Sequence, residues 1–119
     1  MNVNTDPLFD ELVGEQLSAV TFVQDYFQLW FDGPGINVNS PCTVKAEGIE
    51  ITSWNPGFRD SACNQIGKLV KEVIVHEGEF ISIVFRDGSS ISISLRPEDY
   101  STPEAIYAHG FKDDRSLAL

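Results

Sequence analysis

Hydrophobic and polar residues alternate with a period of two between residues 73 and 95. Successive side chains of a β-strand point to opposite faces, so the alternation predicts three strands with one face buried and the other wet. The dipeptide Asp87-Gly88 separates the second strand from the third and predicts a type I′ hairpin turn, whose two central residues both need positive φ. Pro97 ends the pattern because it lacks the N–H that strand pairing requires. The segment is predicted to be an antiparallel meander.

This pattern occurs twice in the chain. Residues 12–41 and 65–97 share a glycine, a valine six positions later, and an Asp-Gly turn. Gly14 corresponds to Gly67 at an offset of 53 residues, and the offset grows to 55 at the turn. Two copies are too few for a solenoid, which needs about three or more repeats. They predict two similar three-strand units packed into a single domain that spans residues 1–119.

Two further turn signals complete the β pattern. Residues 43–54 predict another hairpin, centred on Glu47-Gly48. In the first copy, the Asp-Gly turn is followed by Pro34, which is expected to exclude the tight two-residue form.

Helical signals are short and lie at the edges of the pattern. Residues 7–13 and 60–66 predict one or two turns of helix each. Residues 102–108 carry the strongest signal, because they begin with Thr-Pro-Glu, which suits a helix start, and Gly110 follows them. Residues 112–119 are predicted to be a loose tail.

These signals predict a mainly β (α+β) domain of seven or eight strands. Its antiparallel meander sheets come from the duplicated three-strand unit, with two or three short helices. The predicted core consists of the inward-facing residues of the strands, which are Val20, Phe22, Leu29, Phe31, Val73, Val75, Ile81, Ile83, Phe85, Ile91, Ile93 and Leu95.

Charge narrows the classes of partner. The 119 residues carry 8 Lys and Arg against 18 Asp and Glu, a formal net charge of −10. Nucleic acid and anionic membrane surfaces are bound through cationic patches, so we expect neither as a partner. A basic protein would be attracted at long range, although acidity also serves solubility. The first residues lack the basic and apolar regions of a secretory signal, and we expect a cytoplasmic protein with reduced Cys42 and Cys63.

Catalytic patterns are sparse, and we expect a non-enzymatic protein without a cofactor. No Gly-x-Ser-x-Gly elbow or glycine-rich phosphate loop occurs. His76 lies beside Glu77 and Glu79, which suits a charged turn better than a metal site, since zinc needs three or four converging ligands. No metal site is predicted.

The outward-facing positions differ between the two copies. The second copy has mainly serines there, whereas the first has aromatic and amide side chains. Tyrosine and tryptophan bury a large area at little entropic cost, which favours binding. The alternative interpretation is that another layer covers these residues. The candidate binding residues, with one more tryptophan from a neighbouring strand, are Tyr26, Gln28, Trp30, Asn37, Asn39 and Trp54.

The repeated Gly-x-x-x-x-x-Val pattern, followed by Phe-x-Asp-Gly or Phe-Asp-Gly, resembles small uncharacterised bacterial β domains. Some of these domains resemble immunity proteins that neutralise contact-dependent toxins. The resemblance covers most of residues 12–97 and implies a β domain that binds a toxin. Its motifs are structural turns and core positions, so it carries over no catalytic residue.

Three functional hypotheses follow. The first is a non-enzymatic protein-binding domain, an immunity-like inhibitor of a basic toxin. The second is a small-molecule-binding domain in which Tyr26, Trp30 and Trp54 line one pocket. The third is a structural homodimer joined through a sheet face or an edge strand.

Overall fold

Ten strands form two antiparallel sheets in the computed structural model, which describes residues 7–119. In chain order they are β1 (Ala19–Phe22), β2 (Phe27–Trp30), β3 (Gly35–Val38), β4 (Cys42–Ala46), β5 (Ile49–Thr52), β6 (Val70–His76), β7 (Phe80–Phe85), β8 (Ser90–Ser94), β9 (Ile106–His109) and β10 (Leu117–Ala118). Sheet I has the order β1-β2-β3-β9-β10, and sheet II has the order β5-β4-β8-β7-β6. The prediction of a mainly β fold with antiparallel sheets is confirmed.

The prediction of two or three short helices is wrong. The described residues contain one α-helix, α1 (Phe58–Cys63), and short 3-10 turns at Pro7–Leu12, Pro97–Asp99 and Lys112–Asp114. The segment with the strongest helical signal forms β9 instead. There Ile106 and Ala108 are buried, and the residues that alternate with them are not. Strand periodicity, reinforced by pairing with β3, therefore outweighs the local capping signals.

The two halves of the chain exchange strands. The first half contributes the meander β1-β2-β3 to sheet I and the hairpin β4-β5 to sheet II. The second half contributes β6-β7-β8 to sheet II and β9-β10 to sheet I. The junctions are equivalent, since β4 pairs with β8 and β9 pairs with β3, both antiparallel. Each sheet is therefore built from both halves.

The segments before the two meanders are joined by a symmetric set of backbone hydrogen bonds. The bonds form two pairs. Within each pair, the residue that donates in one segment and the residue that donates in the other are 53 positions apart, and so are the two acceptors. The bonds run from Gly14 to Val70 (2.9 Å) and from Gly67 to Leu17 (2.7 Å), then from Leu17 to Lys68 (3.0 Å) and from Val70 to Glu15 (2.8 Å). The donor is the N–H and the acceptor is the carbonyl oxygen throughout. The two halves are thus related locally by an approximate two-fold axis.

The core lies between the sheets. Ten of the twelve predicted core residues are buried, and Val20 and Phe22 are half-buried against the cluster. Residues 112–119, predicted as a loose tail, contain β10, and Leu117 and Leu119 pack against the core. The carbonyl oxygen of Leu119 accepts hydrogen bonds from the N–H groups of Ala105 (2.7 Å) and Ile106 (3.2 Å).

The hairpin turns differ from their predictions in two places. Asp32 and Gly33 both have positive φ (50° and 134°), and the Phe31 N–H donates to the Pro34 carbonyl oxygen at 2.8 Å. A tight two-residue turn therefore forms. Pro34 has no N–H to donate back to Phe31, but its carbonyl oxygen still accepts the hydrogen bond that closes the turn. At Asp87-Gly88, only the glycine has positive φ (90°), so the predicted type I′ turn is wrong.

That second turn has three central residues instead of two. The Gly88 N–H donates to the Phe85 carbonyl oxygen at 3.0 Å, and the Phe85 N–H donates to the Ser89 carbonyl oxygen at 2.8 Å. The Asp87 carboxylate accepts the Ser89 N–H at 2.9 Å, which stabilises the wider loop.

Candidate recognition surfaces

Five side chains from three adjacent strands form the outer face of sheet I. Gln28 on β2 lies opposite Asn37 on β3, which lies opposite Tyr107 on β9. Trp30 and His109 occupy the next outward row, separated by a glycine on β3. Because side chains alternate along each strand, the residues between them point into the core. We call this set the aromatic face.

Hydrogen bonds and ring contacts order the aromatic face. The side-chain oxygen of Asn37 accepts the Gln28 amide N–H at 3.0 Å and lies 3.1 Å from Nε2 of His109. An amide oxygen is only an acceptor, so this geometry assigns the His109 proton to Nε2. The His109 ring meets Trp30 edge-on (centroids 5.3 Å apart) and stacks on Tyr107 (5.5 Å). These side chains are therefore held in place before any partner arrives.

Gly35 makes room for this arrangement. A Cβ at that position would lie 2.7 Å from two ring carbons of Trp30 and 2.9 Å from Cε1 of His109. The indole therefore lies directly against the β3 backbone. Sequence reasoning missed Gly35, Tyr107 and His109, although the alternation at residues 106–109 carried the signal for the last two.

The outer face of sheet II is the equivalent surface and has different chemistry. It carries serines from β7 and β8, and Ser92 donates a hydrogen bond to Ser82 at 2.9 Å. Thr43 and Lys45 extend the face onto β4. We call this the serine face.

The six predicted binding residues divide between two places. Gln28, Trp30 and Asn37 belong to the aromatic face. The other three, Tyr26, Asn39 and Trp54, line an open cleft of about 570 Å³ at one end of the sandwich, and Trp30 is not part of its lining. The structure therefore does not bring the three predicted pocket aromatics together. We call this second place the end cleft.

A second cleft, of about 670 Å³, adjoins the aromatic face. Its lining includes four carboxylates, those of Asp10, Glu11, Glu15 and Asp32, and the cation Lys112, and we call it the acidic cleft. Arg115 pairs with Glu11, whereas the other three carboxylates have no ion-pair partner within residues 7–119. The cleft also includes the turn that follows Trp30, so it continues from the edge of the aromatic face.

The corresponding turn in the second half is neutralised internally. The Lys68 ammonium lies 2.8 Å from the Asp87 carboxylate. Its hydrogen bond, together with those from Ser89, lowers the pKa of Asp87 to about 2. At the repeat offsets of 53 and 55, Lys68 corresponds to Glu15 and Asp87 corresponds to Asp32. The first half therefore has a second carboxylate where the second half has a cation.

Other reactive side chains form no recognised centre. In the part of the chain that the structure describes, no group of three or more His, Cys, Asp or Glu residues could hold a metal ion. The His76 ring stacks on Phe80, with centroids 4.4 Å apart. Cys42 and Cys63 are free, and burial raises the pKa of the Cys42 thiol while Cys63 is exposed.

The described residues include no helix long and apolar enough to cross a membrane. No family model, curated protein or solved structure matches the chain.

Proposed function

We propose that the chain is a non-enzymatic protein-binding domain that recognises a basic partner through the aromatic face. The observation that carries the proposal is the contrast between equivalent outer faces of the two sheets. The serine face has mainly short hydroxyl side chains on β7 and β8, with the stacked Phe80–His76 pair at its edge. On the aromatic face, His109 contacts both Trp30 and Tyr107. Because the two faces belong to similar scaffolds, packing within the chain does not by itself require this difference.

The order of the aromatic face supports a role in binding. Immobilising a flexible side chain at an interface costs about 0.5–1.5 kcal/mol. The hydrogen bonds at Asn37 and the ring contacts at His109 reduce that cost, because these side chains are already fixed. Tryptophan and tyrosine are also enriched among residues that dominate binding energy.

The acidic cleft supports a basic partner. Glu15 and Asp32 stand where the second half has the Lys68–Asp87 ion pair, and neither carboxylate has an ion-pair partner within residues 7–119. Carboxylates outnumber Lys112, the cation of the cleft lining, so a lysine or arginine of a partner docked on the aromatic face would pair with them. The net charge of −10 would also increase the association rate with a basic protein at low salt.

The proposal includes two finer hypotheses. The halves are copies of one unit, and the binding face arose on sheet I, where β2 and β3 of the first half meet β9 of the second. The partner is a basic toxin and the chain its immunity-like inhibitor, as the sequence resemblance implies. The exposed free thiol of Cys63 suits a reducing compartment, and we place the protein in the cytoplasm.

The test is affinity capture of partners from lysates of the source cells, followed by measurement of affinity for each captured protein across a salt series. We expect a basic partner whose affinity falls as salt rises. Trp30→Ala should weaken binding by about thirtyfold, which corresponds to a loss of about 2 kcal/mol. Ser92→Ala on the serine face is the matched control and should bind as the unmodified chain does.

Two results would count against the proposal. An acidic partner, or affinity that is indifferent to salt, would remove the electrostatic argument. A partner retained in full by Trp30→Ala would place the interface elsewhere. Sedimentation at several concentrations covers the homodimer hypothesis, because a dimer that Trp30→Ala dissociates would assign the face to self-association.

A further inference from the structure

The end cleft is built by three chain connections that meet at one end of the sandwich. It is lined by the β1–β2 turn, the β3–β4 crossover and the segment between β5 and α1. Phe22, Phe27 and Phe58 support it from the core side, with the Phe27 ring centroid 5.7 Å from each of the other two. Its volume of about 570 Å³ lies within the range of about 300–1,000 Å³ typical of small-ligand sites.

Trp54 gives the cleft an accessible aromatic surface. Its side chain is 73% exposed, the largest exposed fraction among the large hydrophobic residues of the described chain. The loop that carries it is held in place, because the Asn55 side-chain oxygen accepts hydrogen bonds from the Thr52 N–H (3.1 Å) and hydroxyl (2.8 Å). An indole on an ordered loop can cover the C–H face of a ligand without ordering of the backbone beneath it. Tyr26 adds a second amphipathic ring to the lining.

Unused neutral polar groups lie in the same lining. Ser40 is only 8% exposed, and its buried hydroxyl has no hydrogen-bond partner within residues 7–119. Buried polar groups in folded proteins are nearly always paired, so this hydroxyl points to a missing partner. The neighbouring Asn39 amide also makes no side-chain hydrogen bond to the described residues. A hydroxyl and an amide can each donate and accept, as the hydroxyl groups of a sugar require.

The charges of the cleft select against anionic ligands, because Asp25, Asp60 and Asp99 lie in its lining. Arg59 lies in the same lining, with its guanidinium 5.1 Å from the Phe22 ring centroid, and offsets one of the three carboxylates. We propose that the end cleft binds a neutral oligosaccharide, with one sugar ring stacked on Trp54 and its hydroxyl groups paired with Asn39 and Ser40. This site is separate from the aromatic face and does not depend on the function proposed for it.

The first experiment probes the full chain with immobilised neutral, sialylated and sulfated oligosaccharides, and the neutral glycans that bind are then titrated in solution. Trp30→Phe leaves Trp54 as the sole tryptophan, since the chain has two. We expect retention of neutral glycans and a saturable change in Trp54 fluorescence. Retention of no neutral glycan, or a preference for sialylated or sulfated ones, would overturn the assignment. Displacement of the glycan by spermidine at similar concentration would reassign the cleft to cations.

Two variants separate a binding role from a structural one. Trp54→Ala removes an exposed side chain and should weaken glycan binding about tenfold or more with an unchanged fold. Ser40→Ala removes the unpaired hydroxyl and should raise the melting temperature while weakening glycan binding. A Ser40→Ala variant that changes stability alone, or undiminished binding by Trp54→Ala, would refute the proposed contacts. Trp30→Ala should retain the glycan, so this proposal and the protein-binding proposal can fail separately.

Discussion

Replacing Gly35 with alanine tests whether the packing of Trp30 against β3 orders the aromatic face. The added Cβ would lie 2.7 Å from Cε3 and Cζ3 of Trp30, and 2.9 Å from Cε1 of His109. Carbon atoms in contact settle at about 3.5–4.0 Å, so the indole would have to move by about 1 Å. The φ of Gly35 lies outside the left-handed region, and the backbone itself accepts alanine. The perturbation is therefore confined to the side chains.

Two opposing contributions determine the size of the effect. Over-packing of this kind costs about 1–3 kcal/mol. Replacing glycine with alanine within a strand stabilises the fold by about 0.5–1 kcal/mol, because alanine loses less backbone entropy on folding. We expect Gly35→Ala to lower the free energy of unfolding by about 1 kcal/mol, which corresponds to a melting temperature about 4 °C lower for a domain of this size.

The assay is urea unfolding followed by far-UV circular dichroism, applied to Gly35→Ala, Trp30→Ala and the double variant. The Trp30→Ala variant has no indole to clash with the added Cβ. In that background, Gly35→Ala should therefore lower the free energy of unfolding by about 1 kcal/mol less than it does in the unmodified chain. Ser90→Ala, at the corresponding position of the second half, is the control and should show no coupling to Trp30→Ala. Equal losses in both backgrounds, or a stabilised Gly35→Ala variant, would show that Gly35 does not pin Trp30.

Three other regions give independent predictions. Because the pKa of Asp87 is lowered from 3.8 to about 2, its pair with Lys68 stabilises the fold above about pH 4, and that contribution is lost as pH falls towards 2. Asp87→Asn should lower the free energy of unfolding by about 0.5–1 kcal/mol at neutral pH and by progressively less below pH 4. Urea unfolding at several pH values measures this, and a difference between the two proteins that does not change with pH would contradict it. Glu47 has φ of 53°, so Glu47→Asn should stabilise the β4–β5 hairpin by about 1 kcal/mol in thermal unfolding, whereas Glu47→Val should destabilise it. Deleting residues 116–119 removes β10 and should lower the free energy of unfolding by about 2 kcal/mol. An unchanged melting temperature would support the interpretation of these residues as a loose tail.

The local pattern of the chain identified the eight strands β1 to β8 and most of their buried residues, but not β9 and β10. Val73, Ile83 and Ile93 are buried because each occupies an inward position of a regular alternation. The alternation says nothing about which strand lies beside which, since any two amphipathic strands can pair. The pairing of β3 with β9 joins residues about seventy positions apart, and no local signal encodes it.

The candidate site was predictable in part for the same reason. Gln28, Trp30 and Asn37 follow from the alternation of β2 and β3. Tyr107 and His109 were missed because the capping signals before and after them favoured a helix over a strand only four residues long. Gly35 was missed because a pattern of residue types does not show which side chain will lie across a glycine.

The exchange of strands between the halves makes each half unable to complete its own sheet. Residues 1–56 would leave β3 and β4 with unpaired edges, and residues 57–119 would do the same at β8 and β9. Exposed edges of this kind associate with other chains. Separately expressed fragments should therefore aggregate alone and reconstitute the native fold when they are produced together, so that cutting the chain between β5 and α1 would turn it into a fragment-complementation pair.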